Sequence, residues 1–327
     1  MNKNTIIAIV AILIALAAPF VMYPVLLMKL LCFALFACAF NLLIGYTGLL
    51  SFGHAAFLGG AGYIAGYVIR DLGLPFEIGI VAGVAFAAFI GLIMGMLAIR
   101  RQGIYFTMIT LALAQMLYFI FLQAPFTGGE DGLQGIPRGT LFGVIDLSND
   151  LTLYFVVLAI CIAGYALIVR TVHSPFGQVL KAIKENEPRA ISLGYDVDKY
   201  KLLVFVLSAA LSGLAGATKA TVLGFETLTD VHWSMSGLVV LMTLVGGLGT
   251  LAGPIVGAIV IIALENRIGE FGTWMAVTTD IAWFRSLGEQ VTIVTGFIFI
   301  VVVLAFRKGI VGEIIAWNQR RIAKAGQ

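Results

Sequence analysis

Few side chains in this sequence are of a type that could do chemistry, and their spacing narrows what that chemistry is. Lys29, His54 and Lys219 are the ionisable residues inside long apolar runs, whereas Glu77, Glu226 and Glu265 fall at run ends. Carriers driven by protons or sodium place carboxylates or histidines within their spans, where burial makes charge expensive. No Asp or Glu lies near the middle of any run, so such coupling is poorly supported, and Lys29 and Lys219 can snorkel. Cys32, Cys38 and Cys161 show no CxxC or Cys/His spacing, which leaves disulfides and zinc unsupported. The glycine run at Gly246–Pro254, GGLGTLAGP, is followed by no Lys-Ser/Thr and is not a phosphate loop. With no acid/base pair, nucleophile–base pair or metal constellation, catalysis is not expected, and neither a cofactor nor nucleic acid is expected as a partner.

The composition then sets the medium. Hydrophobic residues make up 61% of the 327 and charged residues 11%, against roughly 25% charge in a soluble domain. Apolar runs near the roughly 20 residues that cross a bilayer predict spans at Thr5–Met22, Val25–Ile44, Phe52–Ile69, Phe76–Ile99, Ile104–Gln123, Leu151–Val169, Leu202–Leu223 and Val291–Phe306. Ser236–Leu264 is apolar but interrupted by the glycine run, which predicts a re-entrant or broken segment covered by protein, with two ordinary spans as the alternative. The expected fold is an all-α polytopic membrane helix bundle with about eight full spans plus that segment. Fourteen of the 20 basic residues, among them Arg100, Arg101, Lys181, Lys184, Arg189, Arg320 and Lys324, fall on one side if the N-terminus is cytoplasmic. Both termini are therefore expected in the cytoplasm. Lys3 followed by Ala15-Leu16-Ala17 has the look of a cleavable signal, but a single basic residue and the close next span favour an uncleaved helix. One transmembrane domain is expected over 1–327, with a cytoplasmic loop at 171–201, an external loop at 123–150 and a basic cytoplasmic tail at 307–327 that can touch anionic membrane lipid.

The cytoplasmic loop carries the most organised charge, VLKAIKENEPRAISLG from Val179 to Gly194. Pro188 suits a first helical position, Asn186 or Glu187 can cap it, and Gly194 can end it in a left-handed conformation. A helix of about two turns is too short to stand alone in water, so it must dock. With no P-loop here, ATP-derived energy would need a separate subunit, and this loop has the shape of its handle. Tyr46, Thr47, Ser51 and His54, among glycines, either permit close helix packing or line a path for a small zwitterion. Tyr105, Thr107, Thr110 and Gln115 lie on the fifth expected span, where positions 107, 110 and 114–115 can share one helix face; the four can line the same path, though packing explains the threonines equally well. Glu130 and Asp131, in a glycine-rich external loop, can meet basic residues of a docking protein or belong to an ordinary connector.

Four blocks together resemble the branched-chain amino-acid ABC transporter permease family. They are Asn41–Tyr63, Thr127–Pro137, Ser174–Ala217 and Gly246–Ala258, in the family's order. The TGG-x-DGL-x-GIP pattern resembles the longer of the two permease subunits. The resemblance implies a bacterial inner-membrane importer that takes leucine, isoleucine and valine from a periplasmic substrate-binding protein. It also implies a second permease subunit and ATP-binding cassette ATPase subunits that power alternating access. By position, Glu187, Pro188, Arg189, Ala190, Ile191 and Gly194 correspond to the ATPase-coupling segment, although Pro188 and Arg189 replace the family's usual paired alanines. A urea or short-amide permease of the same architecture, or a passive small-solute channel, are the alternatives.

Overall fold

The computed structural model describes residues 13–279, with side chains to 266, and also residues 296, 300, 309–314, 316 and 317. The start of the expected span Thr5–Met22, nearly all of Val291–Phe306 and the greater part of the 307–327 tail lie outside the described residues. The chain forms two compact units, one ending at Gly237 and the other beginning at Leu238.

Helices dominate both, because unpaired backbone groups cannot face hydrocarbon. Five described helices are long and apolar enough to cross a membrane: α1 (Pro24–Thr47), α3 (Phe76–Ala98), α4 (Ile104–Gln123), α5 (Asp150–His173) and α8 (Val197–Leu223). Between α1 and α3 lies α2 (His54–Arg70), of only 17 residues. Two short helices, α6 (Pro175–Glu185) and α7 (Glu187–Ser192), link α5 to α8. After α8 come the four-residue α9 (Leu228–Val231), α10 (Trp233–Gly246) and α11 (Gly253–Thr279). Strands are minor: β1 (Leu133–Gln134) pairs antiparallel with β4 (Phe225–Glu226), and β2 (Thr140–Leu141) with β3 (Ile145–Asp146).

Local sequence sets the boundaries. Pro24 opens α1, and Gly48, at φ 76°, ends it. Asn149, Ser174 and Asp196 cap α5, α6 and α8 through their side-chain oxygens. Two boundaries differ from the sequence reading. The third span does not start at Phe52: α1 runs on to Thr47, residues 48–53 are non-helical, and α2 starts at His54. The α8 helix starts at Val197 instead of Leu202, because Asp196 supplies a cap upstream of the apolar run.

In the first unit, α2 is buried almost all round, chiefly by α8 and α3, with α9 and α4 completing the cover. Small residues permit this approach. A Cβ on Gly216 would lie 1.9 Å from the Leu58 carbonyl oxygen, and one on Gly213 would lie 2.3 Å from the Ala87 Cβ. The outward faces of α3 and α4 carry exposed Val81, Phe89, Met96, Met108, Met116 and Phe119, as bilayer-facing surfaces should.

In the second unit the glycine run breaks the helix, as the sequence implied. Gly247 and Gly249 have φ of 123° and 72°, and the Thr250 hydroxyl donates to the Gly247 carbonyl while accepting from the Gly253 N–H. The 14 residues of α10 rise about 21 Å, short of the ~30 Å hydrocarbon core. Gly257 and Gly246 let α11 fold back against α10, since a Cβ on either would come within 2 Å of a facing carbonyl oxygen.

Gly216→Ala is expected to destabilise the folded protein by about 1–3 kcal/mol through overpacking. Gly237→Ala, with nothing within 4 Å of the added Cβ, should cost nothing. Thermal unfolding of the two variants in one detergent compares them directly.

Candidate functional site

The non-helical stretch 48–53 leaves backbone groups that α1 and α2 cannot satisfy, and other helices supply the partners. From α4, the Thr107 hydroxyl donates to the Leu50 carbonyl at 2.9 Å, and the Thr110 oxygen accepts from the Phe52 N–H at 3.2 Å. At the start of α10, the Ser236 hydroxyl donates to the Phe52 carbonyl at 2.8 Å and accepts from the Ala55 N–H at 2.9 Å. Ser51 accepts from the Gly53 N–H. Side chains from two other helices thus hold the unwound segment in place.

His54, the first residue of α2, is fully buried. Its Nε2 lies 2.9 Å from the Ser208 oxygen, and the Ser208 hydroxyl donates to the Ala39 carbonyl at 2.6 Å. Ser208 has one hydrogen to give, so Nε2 must carry the proton in the His54–Ser208 bond. Phe40, Phe57 and Phe205 present their edges or faces around the ring at 4.9, 5.5 and 6.2 Å between centroids. His54 therefore ties α2 to α8 and α1 from within the packed interior.

The residues named together in the sequence are partly separated. Ser51, His54 and Thr107 gather at the unwound segment. Tyr46 and Thr47 are buried in the last turn of α1, with Lys181 Nζ 5.9 Å above the Tyr46 ring and the Thr47 hydroxyl donating to the Leu43 carbonyl. Tyr105 instead lies on the exposed face of α4, 68% exposed. The Gln115 amide nitrogen, two turns beyond Thr107, is buried with no partner among the described residues.

Next to the C-terminus of α1 sits α6, and α7 packs against α6. Lys184 Nζ donates to the Gly45 carbonyl at 2.7 Å, a cation at the negative end of a helix. Leu180 and Ile183 of α6 are buried, and Ile183 packs with Ala190 and Val197. Of the two possible caps, Asn186 is the one that accepts from the Arg189 N–H, at 3.1 Å. Glu187 turns inward: its Oε1 accepts from Lys201 Nζ at 2.6 Å and from Gln102 Nε2 at 2.9 Å. Gly194 has φ 88°, and its neighbour Tyr195 donates through its N–H to the Ala190 carbonyl. The Lys199 ammonium and N–H both donate to the exposed Asp196 carboxylate and hold it below the usual carboxylate range. Glu187 and Ala190 thus anchor the loop, while Pro188, Arg189, Ile191 and Leu193 are exposed.

At the opposite end, Glu130 and Asp131 are exposed in a tight turn before β1. Arg70 donates to the Gln134 carbonyl at 3.0 Å and so fixes β1 against the end of α2. Sequence reasoning missed Ser208, Ser236, Lys201 and Gln102 as partners of the site. A serine in an apolar run signals only that some backbone oxygen will be met, not which one.

The family described as the branched-chain amino acid transport system permease component matches residues 22–306. The high-affinity branched-chain amino acid transport system permease protein LivM of Escherichia coli is 26% identical over 72% of this chain. Its Salmonella typhimurium counterpart is 27% identical over the same share. The chain spans 60% of the length of both relatives. The autoinducer 2 import system permease protein LsrC of Klebsiella pneumoniae is 29% identical over 58% of this chain and 52% of its own length.

Ser236→Ala leaves two buried backbone groups, Ala55 N–H and Phe52 C=O, without their side-chain partner. A loss of about 1–3 kcal/mol is expected, measured as a lower unfolding midpoint against wild type in the same detergent.

Proposed function

This chain belongs to the family of branched-chain amino acid transport permease components, and on that premise we propose that it is the permease subunit of an ATP-driven importer. Its cargo on this reading is leucine, isoleucine or valine, moved across the bacterial inner membrane by alternating access. The observation that carries the reading is α7: a six-residue helix, anchored by Glu187 and Ala190, that presents exposed Ile191 and Leu193. Such a helix is shaped to receive a partner, and the chain has no P-loop of its own. The proposed partners are ATP-binding cassette ATPase subunits at α7, a second permease subunit, and a periplasmic substrate-binding protein at Glu130 and Asp131. Residues 171–201, both termini and the basic tail then face the cytoplasm and its anionic lipid, and residues 123–150 face outward.

Force on α7 has three routes into the bundle. Glu187 links it to Lys201 on α8 and to Gln102 between α3 and α4, and Lys184 links α6 to the end of α1. All three lead toward the unwound segment. Tyr105, on the exposed face of α4, is left out, and the proposed path runs past Tyr46, Thr47, Ser51, His54, Thr107 and Gln115. There, hydroxyls already engaged with backbone offer weak contacts that let a zwitterion pass. The relationship to LsrC, a permease named for a different solute, favours a second reading in which the architecture carries another small polar cargo.

Co-purification of an ATPase with the detergent-extracted chain tests the mechanism. Ile191→Asp and Leu193→Asp are each expected to weaken capture by about tenfold or more. Gly194→Val, which forces a β-branched residue to φ 88°, should abolish capture while membrane insertion is retained. Folded protein that never retains an ATPase would instead indicate a passive channel. Competition of uptake by leucine and not by urea or sugars supports the branched-chain cargo, and the reverse pattern overturns it.

A further inference from the structure

Three ionisable residues that are dispersed in the sequence converge at the β1–β4 end of the first unit. Lys219 lies in the last turns of α8, Glu226 in β4 and Asp230 in α9, and all three are buried. Lys219 Nζ is 2.5 Å from Asp230 Oδ1 and 3.3 Å from Glu226 Oε1. The chain reverses at Gly224, φ 75°, which brings the carboxylates back over the helix that carries the lysine.

The two carboxylates are not equally served. Asp230 Oδ2 also accepts from the Thr227 hydroxyl at 2.8 Å and from the Thr227 N–H at 3.4 Å. Glu226 has the longer lysine contact on one oxygen, and its Oε2 is buried with no partner among the described residues. Gly62 of α2 presses on this carboxyl: a Cβ there would lie 2.6 Å from both Cδ and Oε2. On the backbone side, a Cβ at Gly132 would lie 2.4 Å from the Glu226 carbonyl oxygen. One ammonium therefore faces two carboxylates in a buried site, and among the described residues no further donor lies in hydrogen-bond reach of the second oxygen of Glu226 to meet the excess negative charge.

We propose that Lys219, Glu226 and Asp230 form a proton-binding site that holds one proton on Glu226, and that losing this proton loosens the β1–β4 cover. With the proton on Oε2 the cluster is neutral and the partnerless acceptor becomes a donor. The groups facing Glu226 are Lys219 from α8, Asp230 from α9 and Tyr63 from α2, with Tyr118 of α4 beside Tyr63; β1 contributes apolar Leu133. The Tyr63 hydroxyl is itself buried without a partner among the described residues and makes no hydrogen bond to Glu226. Burial drives the Glu226 carboxyl well above its ordinary range, and the lysine offsets only part of this. Burial acts on Asp230 in the same direction, but the lysine and Thr227 outweigh it and leave that group below its ordinary range.

The link to the cover is direct. Glu226 pairs with Leu133 in the strand ladder, and the Ile136 N–H donates to the Gly224 carbonyl at 2.8 Å. Charge released on Glu226 would act on the residues that tie the 123–150 loop to α8. The sign follows from linkage: a carboxyl whose folded pKa is raised binds a proton that the unfolded chain releases. Its contribution is complete below the unfolded value of about 4.3 and is lost as pH rises toward the folded value.

Infrared difference spectroscopy of the full chain in lipid nanodiscs, with hydrogen exchange followed at residues 133–136, tests this. At neutral pH wild type should show a carboxylic-acid carbonyl band that shifts when glutamate is isotope-labelled, a measurement that needs no variant. The band should be lost in Glu226→Gln, and also in Asp230→Asn, where Lys219 is left to pair with Glu226 alone. Exchange at residues 133–136, corrected for intrinsic pH dependence, should rise as the band titrates away in wild type and stay flat in Glu226→Gln. A wild type with no glutamate-sensitive band at neutral pH overturns the proton site. A band that titrates without any change in exchange overturns the loosening. Neither result depends on whether an ATPase binds α7.

Discussion

The arrangement rests on a requirement that hydrocarbon imposes: a backbone N–H or C=O at membrane depth must find its partner inside the protein. Inside α1, α3, α4, α5 and α8 the helical ladder meets it. At residues 48–53 the ladder stops, and Thr107, Thr110 and Ser236 take over from two other helices. Removing any of these side chains leaves an unmet group, which costs more than a surface hydrogen bond contributes. The start of α2 is therefore set as much by Thr107, Thr110 and Ser236 as by its own sequence.

The same requirement explains why α2 sits at the centre. Its N-terminus is bonded to Ser236, its first side chain to Ser208, and its glycines to the closest approaches of the bundle. Gly62 meets Glu226, Gly59 meets the Asp230–Val231 backbone, and Gly66 meets Leu133 and Ile136. Dispersion across such contacts, together with hydrogen bonds, holds helices together where lipid gives no hydrophobic drive between them. The exposed apolar faces of α3 and α4 lie on the far side of this core.

Much of the architecture was legible because apolar run length and glycine placement report directly on helices in a membrane. The spans of α1, α3, α4 and α5 were located to within a few residues, and the break after Gly246 followed from its glycines. The turn at Gly194 was readable from a glycine just past a short capped segment. The break at 48–53 was not legible, because Thr107, Thr110 and Ser236 look the same in sequence whether they pack helices or replace a missing helical turn. Tyr105 and Thr107 are two residues apart and so point to different sides of α4, which periodicity does show. The pairing of Lys219 with Glu226 and Asp230 was hidden for another reason. In sequence they are a lysine inside a span and two acids beyond its end, and only the reversal at Gly224 brings them together.

The unwound segment also distributes mechanical stiffness. Helices α1 and α2 are rigid rods, and each is closed at the junction by groups that do not depend on the angle between them. Lys184 and the left-handed Gly48 finish one rod, and Ser236 begins the other. A change in that angle breaks no helical hydrogen bond. Any bend between the two rods would therefore fall in these six residues, and it would have to give up the Thr107, Thr110 and Ser236 bonds that hold them.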